Sequence, residues 1–311
     1  MAVESGKFTQ LADEFELIAE TATEAGVAGS PLPRVRRGWV NVPAGGHVSG
    51  VFWGDGPPEL VFLHDIGESA RAWDAVALTL GRPSVAIDLP GHGRSDWRRD
   101  GRYEPAVLVS AVAEAIRSFA PRVRLVAGTG LGGLTAIALR RRHARLLPGL
   151  ALVNTVPGAD PERAWKWPGP ERFASRADAV SALAAKRPAH SRQAIRREVL
   201  YELVPDADGS WVWRHHPGNQ PAVPDHGDPP STGLSSTAPL WNEFARLDVP
   251  VALIRGDWTD PLAAADLVIV RQRVPHIRVI TIPGAGTDIA ATQPAALGTA
   301  LGELLINEET R

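Results

Sequence analysis

Between Leu125 and Gly133 the chain reads Leu-Val-Ala-Gly-Thr-Gly-Leu-Gly-Gly, an apolar strand running into a helix through a glycine-rich turn. The residue at the centre of that turn is Gly130. It has no side chain with which to attack a carbonyl, so serine-type covalent catalysis cannot start there. The acid–base equipment that remains is carboxylate: Asp65, Glu68 and Asp260. Two carboxylates held in a dry pocket can have their proton affinities pushed apart, one becoming an acid and the other a base. Asp65 and Asp260 are the candidate catalytic residues, whereas Glu68, at a helix start, is read as solvated. Thr129, next to the empty position, and Thr287 can hydrogen-bond a ligand oxygen without attacking it.

The same turn spells Gly128-x-Gly130-x-x-Gly133, the fingerprint of a dinucleotide site at a helix N-terminus. Two features oppose that reading. The fingerprint belongs in the first strand–helix turn of a dinucleotide fold, and several strand–helix units precede it here. The next strand ends in Asn154, where a ribose would want an acid. No cofactor is expected. His215 and His216 follow the Trp211–Trp213 stretch and are read as exposed, and His47, His143, His190, His226 and His276 lack motif context. No histidine pairs with a carboxylate at helical ligand spacing, so no metal site is indicated.

The elements that must position these residues follow from composition and periodicity. The 311 residues are 44% hydrophobic and 22% charged, enough for a sizeable core, with a formal charge of −2. Nucleic acid and anionic membrane are therefore not expected as partners. The absence of Cys excludes disulfides and thiol chemistry. No membrane span or signal pattern is visible, which gives a cytoplasmic expectation. Oligomeric state is not legible. Strands are expected at 38–42, 47–53, 60–63, 84–87, 123–127, 150–154, 249–254 and 277–282. Helices are expected at 70–80, 105–119, 131–143, 261–274 and 293–306. Short apolar strands alternating with helices specify a mostly parallel sheet covered on both faces. Residues 1–35 read as an N-terminal helix and linker, 36–156 and 248–311 as the core, and 157–247 as a cap with helical periodicity over 174–203.

Four segments together carry a family resemblance. They are Leu63-His64-Asp65-Ile66-Gly67, Asp88-Leu89-Pro90-Gly91-His92-Gly93-Arg94-Ser95, the turn at Gly128–Gly132, and the C-terminal pair around Asp257–Asp260 and Pro283–Asp288. Their order and spacing resemble the α/β-hydrolase superfamily. The resemblance implies an eight-stranded α/β-hydrolase sheet with a helical cap, and a small organic ligand beneath it. It places Gly130 where the family has Ser, Thr287 where it has His, and Asp260 at the retained acid. On the same mapping the backbone N–H groups of Ile66 and Leu131 form the oxyanion hole, with Thr129 and His64 beside it, and Asp65 replaces a glycine. A carboxylate there opposes a developing oxyanion. The dinucleotide-like string then reduces to the family's own glycines plus one Ser-to-Gly change. Three functions follow as expectations. The first is elimination, cyclisation or rearrangement of a small acyl or polyketide-type molecule. The second is a catalytically silent ligand- or partner-binding protein. The third is residual hydrolysis by water activated at Asp260 or Asp65.

Overall fold

The computed structural model describes residues 13–27, 29, 31–43, 45–158, 172–215, 238–258 and 264–309. The strands are β1 (Val35–Asn41), β2 (His47–Trp53), β3 (Leu60–Leu63), β4 (Ser84–Ile87), β5 (Leu125–Thr129), β6 (Leu150–Val153), β7 (Arg172–Phe173), β8 (Leu203–Pro205), β9 (Trp211–Trp213), β10 (Val251–Gly256) and β11 (Arg278–Ile282). The helices are α1 (Ile18–Glu24), α2 (Asp74–Leu80), α3 (Pro105–Phe119), α4 (Gly130–Arg142), α5 (Arg176–Lys186), α6 (Arg192–Glu202), α7 (Ala238–Ala245), α8 (Ala264–Arg273), α9 (Ile289–Thr292) and α10 (Pro294–Glu309). Eight strands form one sheet in the order β1-β2-β4-β3-β5-β6-β10-β11. Only β1–β2 and β2–β4 are antiparallel.

Strand alternation divides the core into two faces. Val61 and Leu63 of β3 pack with Val126, Leu152 and Leu253 under α3, α4 and α7. Leu60 and Phe62 of the same strand face Leu125, Val153 and Ile254 on the side of α1, α2 and α10. The short central strands are buried along their whole length, which is why they read as unbroken apolar runs. β3 is followed by β4 on one side and by β5 on the other, so the chain reverses direction across the sheet between β3 and β5. Open parallel sheets bind ligands at such a switch point, beyond the carboxyl ends of the strands. Asp65 follows β3 there, and Gly130 follows β5.

Residues 172–215, inserted between β6 and β10, are not purely helical. α5 and α6 lie with a three-stranded antiparallel sheet, β7-β9-β8, around Phe173, Val180, Leu183, Ile195, Val199 and Trp213. α7 already belongs to the core cluster through Leu240 and Phe244, so the chain returns to the core ahead of residue 248. α1 is shorter than the sequence pattern suggests and is no detached appendage. Ile18 and Ala22 are buried against the sheet, while Glu20 and Glu24 form ion pairs with Arg197 of α6. Among the described residues no helix is long and apolar enough to cross a membrane.

Two turns are shaped by close approach. Asp88, fully buried, accepts hydrogen bonds from Arg37 Nη1 (2.6 Å), Ala70 N (2.7 Å) and Arg94 N (3.0 Å), and from Ser49 Oγ. Burial pushes its carboxyl up. The Arg37 guanidinium and these hydrogen bonds more than offset that push and hold it below the usual range. At the strand–helix turn, a Cβ on Gly128 would lie 2.6 Å from Gly133 N, and one on Gly132 2.4 Å from Leu63 O. The glycine string is thus a steric requirement of α4 packed on β3. Gly132→Ala should destabilise the protein by about 2 kcal/mol or more, as overpacking against backbone does. Urea denaturation checks this, and an unchanged midpoint would refute the steric account.

Candidate active site

Gly130 sits at the junction of β5 and α4 with φ +39°, a left-handed conformation that suits a glycine. Its N–H donates to Thr155 Oγ1 at 2.6 Å, and that hydroxyl donates to Val153 O at 2.8 Å, fixing the turn to the end of β6. The adjacent amides of Ile66 and Leu131 converge, as the family resemblance implies, but they are occupied. Both donate to Asp65 Oδ1, at 2.7 Å and 2.8 Å. A Cβ on Gly130 would come within 1.8 Å of the same oxygen. The Asp65 carboxylate therefore fills the volume that a side chain at Gly130 would take.

Glu68 joins this centre. It is half-buried, and its Oε2 accepts the Asp65 N–H at 3.0 Å, which corrects the expectation of a solvated residue. A third carboxylate comes from the loop before α9. Asp288 caps that helix through Oδ1 (3.0 Å to Ala291 N), and its Oδ2 lies 2.9 Å from His190 Nε2. His190 stands between α5 and α6, so this bond joins the insertion to the core. Its ring is largely buried, and Nδ1 has no hydrogen-bond partner among the described residues.

The three carboxyls are driven in opposite directions. Burial raises the Asp65 pKa, with the Asp288 charge adding to it, and outweighs the two amide hydrogen bonds that favour the ion. Burial raises Glu68 well above the carboxylate range, reinforced by the charges of Asp288 and Asp65. Asp288 is also pushed up by burial, but the His190 hydrogen bond and charge overcome this and hold it below its ordinary value. His190 thus draws Asp288 towards its ionised form, while burial raises the proton affinity of Asp65 and, more strongly, of Glu68.

Other predicted residues fall elsewhere. His64 is fully buried: Nε2 accepts from Leu89 N at 3.0 Å, and Nδ1 lies 2.7 Å from Asp65 O. Both ring nitrogens are thus engaged by the backbone of the turns. His215 is also buried, its ring 6.2 Å from His92 and 6.0 Å from Trp213, so it is no exposed lid residue. Thr129 Oγ1 is buried without a hydrogen-bond partner among the described residues. Thr287 is exposed, and its carbonyl is gripped by Asn154. Asn154, at φ +46°, donates to Gly286 O (3.0 Å) and Thr287 O (2.7 Å) and accepts from Gly256 N (3.2 Å), clamping both C-terminal loops. Asp260 and His216 lie outside the described residues. His190 had no sequence signal, since its partner is 98 residues away. Asp288 was legible only as the last residue of the Pro283–Asp288 segment.

Residues 60–298 match the Alpha/beta hydrolase family, and the chain belongs to it. It is 35% identical over 296 residues to the esterase Rv0045c of Mycobacterium tuberculosis, covering 92% of this chain and 93% of that protein. The crystal structure of Rv0045c superposes with a TM-score of 0.81 at 34% identity, over 96% of this chain and 99% of that one. The 3-hydroxybutyrate-oligomer hydrolase of Cupriavidus necator is 27% identical over 262 residues, 80% of this chain and 89% of that protein. These relatives overturn the expectation of elimination, cyclisation or rearrangement, and give no support to a silent protein. They point to ester hydrolysis.

The overlap of Asp65 with the space above Gly130 gives a stability test. Gly130→Ser alone should lose about 1–3 kcal/mol through collision with the carboxylate. In Gly130→Ser with Asp65→Gly, the double substitution should cost less than the sum of the singles. Additive losses in a denaturation cycle would show that the two positions do not compete for one volume.

Proposed function

We propose that this protein hydrolyses a small organic ester, with water as the nucleophile in place of an enzyme side chain. The observation that carries the reading is the opposite displacement of two carboxyls: Asp288, held by His190, is shifted down, and Asp65, on the amides of Ile66 and Leu131, is shifted up by burial. Environments that push two titratable groups apart define an acid and a base. The ester linkage is what the named activities of similar proteins suggest.

In this scheme Asp65 is the acid. Its Oδ1 rests on the two amides, and the protonated carboxyl donates to the ester carbonyl oxygen, so the amides act through it. A neutral carboxyl there removes the repulsion that an ionised one would exert on the forming oxyanion. In the scheme His190 is the base, its Nε2–H donating to Asp288 and its Nδ1, buried and without a hydrogen-bond partner among the described residues, assigned to receive the water proton once substrate and water enter the site. Water oxygen bonds to the carbonyl carbon as its proton passes to Nδ1, and the carbonyl electron pair moves onto oxygen. Collapse breaks the bond to the alcohol oxygen, which takes the proton from Nδ1. Acid and alcohol leave, and the enzyme is unchanged.

Hydrolysis of p-nitrophenyl butyrate tests the scheme. His190→Ala should lower kcat by about 10²-fold or more, the usual contribution of a positioned base, and Asp288→Asn should follow it. Asp65→Ala should cost about 10²–10³-fold, as loss of an oxyanion donor does. The sign with pH follows from the raised Asp65 pKa: the active form is protonated, so the rate falls as pH rises through that value. Asp65→Asn, which donates without titrating, should lose this alkaline limb. Wild-type rates in His190→Ala and Asp65→Ala, or no turnover by the parent protein, would contradict the reading.

A further inference from the structure

A second polar feature lies where the insertion meets the core, at the far end of the turn that carries Asp65 and Glu68. A cavity of about 160 Å³ opens beside Ser69 and is lined by five guanidinium groups. Two are already neutralised: Arg37 pairs with Glu14 and Asp88, and Arg71 pairs with Asp74. The other three come from separate elements. Arg94, itself exposed, lies in the turn after Asp88, Arg176 begins α5, and Arg214 follows β9. Among the described residues none of these three forms an ion pair with a carboxylate. Arg176 lies over the Trp211 ring at 4.1 Å, leaving its Nε buried without a hydrogen-bond partner. Tyr201, also lining the cavity, has a buried hydroxyl in the same condition.

Unpartnered buried donors cost stability, as do like charges brought together. Burial lowers the proton affinity of Arg214, and the charge of Arg94 lowers it further. The negative charge that answers them from within is shared or partial: Asp88 acts on Arg214 but is paired with Arg37. Glu14 is held by Arg37. Glu202 accepts a hydrogen bond from Ser69 Oγ, and burial pushes its pKa up to about 7, so near neutrality it carries only part of a charge. Arg214 Nε donates to the Tyr201 carbonyl at 3.4 Å, but none of the three guanidiniums is ion-paired among the described residues, and together with a phenolic donor around one small space they complement a group with several acceptor oxygens and negative charge.

We propose that this cavity binds a compact oxyanion, a phosphoryl or carboxylate group, through Arg94, Arg176, Arg214 and the Tyr201 hydroxyl. The anion is either a free effector or the charged end of the ester substrate, since Ser69 is the next residue after Glu68. The site stands without the hydrolytic reading, because its occupancy is measured as binding.

Titration calorimetry of the full chain with inorganic phosphate, and separately with acetate, tests it. Saturable binding of one equivalent of at least one of the two is expected. That binding should weaken at least tenfold in Arg176→Gln and in Arg214→Gln, and severalfold in Tyr201→Phe, which keeps the charge and the fold. Glu202→Gln should tighten it. Absence of saturable binding to the parent chain, or binding unaltered in the arginine and tyrosine variants, would overturn the proposal. The source is read from kinetics. A free effector leaves KM for p-nitrophenyl butyrate unchanged and does not compete with an ester bearing a terminal carboxylate; the substrate's own end is displaced by phosphate in competition with that ester.

Discussion

The constraint on which the site depends is one carboxylate oxygen held by two amides. Asp65 Oδ1 takes the N–H groups of Ile66 and Leu131, and it does so in the space directly above Gly130. Neither residue is intelligible alone. A side chain at 130 would collide with the carboxylate, and without the carboxylate two inward amides at the sheet edge would lack a partner. The left-handed turn at Gly130 and the tight contact of Gly132 with Leu63 and His64 bring the amides together. Burial then tunes the carboxyl: the pair of hydrogen bonds favours the ion, desolvation opposes it, and the net shift of the Asp65 pKa is upward.

The rest of the site is assembled by long-range contacts. His190 comes from the link between α5 and α6, Asp288 from the cap of α9, and Asn154 locks the two C-terminal loops to the end of β6. Arg197 ties α6 to α1, so the insertion that delivers His190 is braced from the N-terminal side. Displacement of the insertion would separate His190 from Asp288, remove the interaction that keeps Asp288 ionised, and erase the difference between acid and base.

The sheet was legible because buried parallel strands must be short, apolar and separated by helices. β2, β3, β4 and α3 lie where the periodicity placed them. The turns were legible because their glycines answer steric demands that recur wherever strand and helix approach so closely. Asp65 stood out for the same reason, as a charged residue where a small one fits. What escaped the sequence was the identity of the base. A histidine between two helices carries no local mark of a partner 98 residues away, and the column of His64, His92 and His215 shows that other motif histidines are taken up in packing. The reaction class escaped too, for a missing nucleophile says which step is closed and not which reaction the remaining groups perform.

The account's central claim is that the seat at Gly130 is filled by the Asp65 carboxyl and that no covalent acyl intermediate forms. Rapid mixing of the protein with p-nitrophenyl butyrate, followed by intact-mass measurement during turnover, tests it directly. The account predicts steady release of nitrophenolate with no initial burst and no gain in protein mass. A burst matching the enzyme concentration, accompanied by a butyryl adduct, would contradict it.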